Sequence, residues 1–242
     1  MEPPYPYIKK HLGEERLKKE IENIEKAEWL DPEKKGYVWM GYFVLKLVDV
    51  LIGRNESVTN FKKWTKEAKE SKNLKDCLFE LTCIDELFKN NKLIIKQKNG
   101  KKVPDAFIEN ENVYIEMTNL EDIPQSIELK VNDLCEKAQE RFGSSLGIHF
   151  VGINGFFEYN KEKDMMVPKK ELQVLVKDLT EKVQKLDKNV LCFLLVHNYI
   201  SYHPKINQFG WYRQIPYSIF NGIVDWNLLK KLVGNFNLLK KE

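Results

Sequence analysis

From residue 74 onward the apolar period of the chain switches back and forth between helix and strand. This alternation restricts the possible folds more than any other feature. "LKDCLFELTCIDELFKN" repeats apolar residues at three- and four-residue spacing, as an amphipathic helix does. "KLIIKQK", "VPDAFIE" and "VYIEMT" are short runs rich in Val, Ile, Phe and Tyr, the composition of strands. Asn99-Gly100 is a tight-turn dipeptide between the first two, and the polar "NEN" joins the second to the third. Next come a helix, "IPQSIELKVNDLCEKAQERF", a strand, "LGIHFVGIN", and a helix, "PKKELQVLVKDLTEKVQKL". "NVLCFLLVHN" is apolar enough to be a central strand. The order predicts an α/β domain with a mixed sheet and helices on its faces. The stretch with Trp211, Tyr212, Tyr217, Phe220 and Trp226 is expected to pack back on the core, ending in a "DWNLLKKLVGNFNLLKK" helix.

Residues 1–73 lack this alternation and read as a helical extension. "GEERLKKEIENIEKAEWL" places Leu17, Ile21, Ile24 and Ala27 on one helical face. Asp31-Pro32 is a helix start, and "YVWMGYFVLKLVDVLIG" is apolar nearly all round. Such a helix must be buried against the α/β domain of residues 74–242 or against a second copy in a homodimer. Lys46 and Asp49 argue against a membrane span. "FKKWTKEAKESKN" is a helix or linker with a solvated face. Hydrophobic residues make up 43% of the chain, enough for a core, while a net charge of +3 permits a nucleic-acid partner without arguing for one. Cys77, Cys83, Cys135 and Cys192 form no CxxC pair, so reduced core thiols are expected and not a zinc site or disulfides. With no apolar leader, the expected protein is soluble and cytoplasmic.

The acids in "VPDAFIENENVYIEMT" stand out against this background. Strand parity puts Asp105 on the face of Phe107, and Glu116 on that of Tyr114 and Thr118. Val113, Ile115 and Met117 point the other way, toward a core. Two adjacent strands can then hold the carboxylates side by side. Like charges that close raise each other's pKa unless a cation separates them, and oxygen-only ligands suit Mg²⁺. The plain alternative is a pair of solvent-exposed acids at a hairpin edge. On the preceding helix, Glu80 falls within the stripe of Cys77, Leu81, Ile84, Leu87 and Phe88, whereas Glu86 shares a polar side with Thr82 and Asn90. A glutamate on an apolar face needs a metal or a basic partner. On the following helix, Ile127, Val131, Leu134, Ala138 and Phe142 form the buried stripe. Lys130, Lys137 and Arg141 border it, as a solvated edge or as partners for the acids.

Helix with "FEL", strand, turn, "PD", strand with "IEMT", then helix resembles the PD-(D/E)XK nuclease superfamily over residues 74–154. The resemblance implies a restriction-endonuclease-like fold with an αβββαβ core. It also implies Mg²⁺- or Mn²⁺-dependent hydrolysis of a nucleic-acid phosphodiester, DNA foremost. Asp105 matches the Asp of "PD", Glu116 the acid of "(D/E)XK", and Glu80 the helix glutamate that supplements the metal site. Asp105, Glu116 and the Met117 carbonyl would be the metal ligands, with Glu80 bound directly or through water. Thr118 stands where the family has its lysine, whose work is to support the attacking water and the charge on phosphorus. Lys137, with Lys130 second, is placed to supply it from the helix. The "QxxxY" signature of some relatives is missing, since "QERF" ends in Phe142. The alternative is a catalytically inactive member that binds nucleic acid or serves in an assembly, which Thr118 favours.

Other features are less pointed. His197 and His203 could bracket a metal, His149 reads as a core or sheet-face residue, and Arg213 with its aromatic neighbours could stack bases. Packing is the plainer use of each. The chain has no P-loop, GxSxG, HExxH or glycine-rich dinucleotide turn.

Overall fold

The structure is a computed structural model that describes residues 4–30, 35–70, 74–89, 91–96, 103–160, 165–203, 208–222, 226–233 and 237–238. The Asp31-Pro32 helix start and the Asn99-Gly100 turn lie outside the described residues. Four helices come first: α1 (Pro6–Leu12), α2 (Glu14–Leu30), α3 (Lys35–Asn55) and α4 (Phe61–Glu70). After them come α5 (Leu74–Phe88), β1 (Leu93–Ile95), β2 (Ala106–Ile108), β3 (Val113–Asn119), α6 (Ile127–Phe142) and β4 (Gly147–Gly152). The expected order of helix, three strands, helix and strand is therefore present. A small hairpin not anticipated from the sequence follows, β5 (Phe157–Asn160) with β6 (Met165–Pro168). The chain continues through α7 (Lys170–Val183), β7 (Val190–His203), β8 (Gln208–Phe220), α8 (Trp226–Val233) and β9 (Asn237–Leu238).

One mixed sheet of order β1-β2-β3-β4-β7-β8-β9 runs through the molecule. The β1-β2-β3 meander is antiparallel, β3, β4 and β7 are mutually parallel, and β8 turns back antiparallel on β7. The protein is thus α/β with a mixed sheet, as the alternation of periods requires. Among the described residues no helix is long and apolar enough to cross a membrane.

Side-chain parity divides the core in two. On one face, Ile108, Val113, Ile115, Ile148 and Phe150 pack with Leu81, Ile84 and Leu87 of α5 in one continuous cluster. The same cluster takes in Ile8, Leu17, Val48 and Trp64 of the N-terminal helices and Leu229 of α8. On the other face, Val151, Phe193 and Leu195 meet Val131 and Leu134 of α6 and Leu172 and Leu175 of α7. Gly147 leaves room for the ring of Phe142, which a β-carbon there would strike.

Two expectations gain detail and a third is corrected. The lysine-rich stretch after residue 60 is the helix α4, but it buries Phe61, Trp64, Thr65 and Ala68, because its other side packs on α1 and β1. The aromatic stretch packs on the core as expected, through Trp211, Tyr217 and Phe220, but residues 208–220 of it form the long strand β8, paired with β7 out to His203. The final helix ends at Val233, just before Gly234, and β9 pairs with β8 beyond it.

Candidate functional site

The β2–β3 register pairs Ala106 with Ile115 and Phe107 with Tyr114, so the next position back sets Asp105 against Glu116. Both carboxylates are buried, Asp105 at 6% exposure and Glu116 at 0%, which rules out the hairpin-edge alternative. The physical reason is topology. Strand β3 has β4 on its far side, with Glu116 aligned to His149, and α6 lies over that face. Strand β2 starts only at Ala106, and there the Met117 amide donates to Asp105 Oδ2 at 2.6 Å in place of a strand carbonyl. One oxygen of Asp105 is therefore tied to the backbone that carries Glu116.

Helix α6 begins at the N-cap Ser126, whose hydroxyl accepts from the Leu129 amide at 3.3 Å. Its buried stripe of Val131, Leu134, Cys135, Ala138 and Phe142 fixes the rotation of the helix on the sheet. That rotation separates the three basic residues. Lys137 reaches down: its Nζ is 2.7 Å from Glu116 Oε1 and donates to Thr118 Oγ1 at 2.8 Å. Lys130 stays near the surface and pairs with Asp133 at 2.6 Å. Arg141 donates to the Val103 carbonyl at 3.1 Å, tying down the segment just before Asp105.

Thr118 makes one more contact, with His149 Nε2 at 2.9 Å. His149 is fully buried, and that burial, with the charges of Lys137 and Lys130, holds its pKa well below the ordinary value. The Leu134 carbonyl offsets only part of this. A neutral imidazole accepts at one ring nitrogen. The Thr118 hydroxyl thus donates to His149 while its oxygen accepts from Lys137, in a chain Lys137 to Thr118 to His149. The sequence shows His149 as a sheet-face residue, and it is one. Its polar role was missed, although the parity that pairs it with Glu116 was the available signal.

Glu80 approaches from elsewhere. Helix α5 packs on the opposite sheet face, and Glu80 is half-buried there. The division of α5 into apolar and polar sides needs correction. Thr82 is buried at 1% exposure with its hydroxyl on the Phe79 carbonyl, because α3, α8 and the sheet all contact this helix. Glu86 is half-buried and lies 3.7 Å from Arg213 Nη1. The Arg213 side chain is itself largely covered, with Nε donating to Asn198 Oδ1 at 3.0 Å, so it is no base-stacking platform. Cys83 sits between these charges. Burial pushes its thiol up to about 12, with Arg213 opposing and Glu80, Glu86 and Asp105 adding to the rise. All four cysteines are free and buried.

Of the second histidine pair, His197 is buried and stacks on Phe157 at 3.6 Å and on Tyr199 at 5.2 Å, with burial pushing its pKa down to about 4. The side chain of His203 lies outside the described residues. Among the described residues, no three His, Cys, Asp or Glu side chains group closely enough to hold a metal ion. The start of β2 and the middle of β3 instead bring two carboxylates, Asp105 and Glu116, into neighbouring register, with the Met117 backbone adjoining both. That oxygen-only set fits Mg²⁺, which uses one or two carboxylates and completes its shell with water and substrate phosphate.

Beside this pair lies an open cleft of about 260 Å³, lined by Lys96, Val103, Pro104, Tyr114, Arg141 and Ser145 among others. Comparison with known protein families, with curated proteins and with solved structures gives no match.

Proposed function

We propose that the protein is a metal-dependent nuclease of the PD-(D/E)XK type, hydrolysing phosphodiester bonds of nucleic acid, DNA foremost. The observation that carries this reading is the contact of Lys137 with both Glu116 and Thr118. A lysine from α6 brings its ammonium to Thr118, the residue that stands at the lysine position of the motif it resembles. The helix-strand order from α5 to β4 supports the same restriction-endonuclease-like reading.

In this mechanism Asp105, Glu116 and the Met117 carbonyl would hold Mg²⁺ or Mn²⁺, and Glu80, on the opposite sheet face, would not be a ligand. The bound ion would lower the pKa of its water and neutralise the phosphate. The Lys137 side chain would donate hydrogen bonds to oxygens at phosphorus as charge builds there. The Thr118 oxygen steers the ammonium, and neutral His149 fixes the Thr118 hydroxyl by accepting its proton in a hydrogen bond. Lys130 supplies positive charge at the edge of the site.

The inactive nucleic-acid-binding module is the second reading, favoured by the same ion pair, since Glu116 is already neutralised by a cation. Incubation with single- and double-stranded DNA and RNA in Mg²⁺ or Mn²⁺ separates the two. Metal-dependent cleavage is expected, lost together with metal binding in Asp105→Ala. In Lys137→Ala, cleavage should be lost while metal still binds. Salt-sensitive binding without cleavage under any of these conditions would select the module.

A further inference from the structure

The cleft beside Asp105 is not used by the hydrolytic residues, and its walls are of one sign. Lys96 and Arg141 face it, and among the described residues none that lines it is acidic. The Lys96 ammonium stands 4.8 Å from the centre of the Phe107 ring and 5.6 Å from that of Tyr114. Its amide donates to the Asp105 carbonyl at 2.9 Å, which fixes β1 against the start of β2. Arg141 is anchored by its bond to the Val103 carbonyl on the opposite wall. Ser145 adds a hydroxyl. Two cations on braced elements, an aromatic wall and a hydroxyl form a receptor for a compact anion with several oxygens.

The location decides which anion. Arg141 lies four residues beyond Lys137 on α6, a side-chain step of roughly 5–6 Å. Tyr114 lies two residues before Glu116 on the same face of β3, a step of roughly 7 Å. Both elements thus displace the cleft from the carboxylates by the scale of one nucleotide of an extended strand. We propose that the Lys96–Arg141 cleft is a phosphate subsite, seating the phosphate next to the one at Asp105 and Glu116. The assignment of a nucleic-acid strand as its source rests on the reading of that centre given above. The oxygens can come from a terminal phosphomonoester or an internal phosphodiester.

The test uses the full chain without divalent ions, so cleavage plays no part in it. The probes are inorganic phosphate and a short DNA oligomer with or without a 5′-phosphate, titrated at several salt concentrations. Lys96→Gln and Arg141→Gln should each weaken binding by about tenfold or more. Each should also lower the salt slope of oligomer binding by about one. Lys92→Gln, at the exposed Lys92–Glu109 pair before β1, should leave both unchanged. Tighter binding of the phosphorylated oligomer assigns a terminal monoester, and equal binding an internal diester. Because Arg141 also anchors Val103, Arg141→Gln can fail to fold, and Lys96→Gln alone then decides. Wild-type protein that binds none of the probes would overturn the subsite, as would variants within about twofold of wild type. Binding at the cleft by a protein that never cleaves would reject the hydrolytic reading and retain the subsite.

Discussion

The two faces of β2, β3 and β4 are made from the same short strands and share nothing else. On the α5 face, Ala106, Ile108, Val113, Ile115, Met117, Ile148 and Phe150 form an unbroken apolar surface. On the α6 face, the alternate positions carry Asp105, Glu116, Thr118 and His149, all but Thr118 buried. Apolar burial is non-directional and tolerates many residues of suitable size. A buried polar strip must instead satisfy each group by name, and Lys137 from a separate helix is the piece that does so for Glu116 and Thr118. One face can therefore vary by repacking, while the other depends on single atoms.

The largest expected break of this contrast is Lys137→Met. Removing the cation from a fully buried carboxylate should destabilise the protein by about 3–5 kcal/mol. Glu116→Gln in the same chain should recover most of that loss. Urea denaturation of both single variants and the double variant measures the coupling. A pair contributing nothing beyond additivity would erase the difference between the faces.

Next comes the apolar side. Ile115→Ala opens a cavity in the cluster that Ile115 shares with Ile84, Leu87 and Ile148, and about 2–5 kcal/mol should be lost. The lower end of that range applies if Ile84 and Leu87 close on the gap from α5. Binding of metal or of nucleic acid should survive in titrations of the folded variant, because no polar contact is touched. A matching loss of either function would show that the faces are not independent.

The Thr118–His149 contact sharpens the comparison at a smaller scale. Thr118→Val leaves the His149 ring nitrogen buried without its donor, and about 1–3 kcal/mol should be lost. The pH dependence has a definite sign. The folded-state pKa of His149 lies well below the ordinary 6.5, so the unfolded chain binds more protons as pH falls below that value. Stability should therefore decline from pH 6.5 downward and level off once the folded pKa is passed. His197, held down at about 4, adds to the decline between 6.5 and 4. His149→Phe should make the slope shallower, read from urea midpoints at pH 7, 6 and 5, and an unchanged slope would mean that His149 is protonated in the fold.

The smallest effect belongs to Lys130→Ala. Its pair with Asp133 is at the surface, with side-chain exposures of 29% and 58%, and such pairs contribute about 0–1 kcal/mol. A Lys130 loss equal to that of Lys137 would mean that position on α6 does not set the value of a lysine.

Much of the molecule was legible because period and parity are local. The helices α2, α5, α6 and α7 follow from spacing and the strands β1 to β4 from composition, whereas α4 was open between helix and linker; parity alone put Asp105, Glu116 and Thr118 on one face. What required the third dimension was how deeply each residue is covered. Nothing around Glu116 in the sequence says that β4 will flank it and α6 will roof it. Thr82 misled for the same reason, since three neighbours enclose a helix whose own pattern suggests one polar side. The choice of Lys137 over Lys130 depended on the rotation of α6, which the stripe from Val131 to Phe142 sets. The long β7–β8 hairpin was missed where aromatic residues serve equally well in a strand or in a packed loop.

The cluster that joins Ile8 to Leu232 also bears on time. Its members are drawn from both ends of the described chain, and Asn91 reaches the Leu232 carbonyl at 3.4 Å across 141 positions. A chain emerging from the ribosome cannot close this surface until α8 has been made, so part of it stays uncovered through most of synthesis. Contacts so distant in sequence slow folding and lengthen the exposure of sticky surface. Dependence on chaperones during synthesis, and poor recovery after dilution from denaturant, are the expected marks of that late closure.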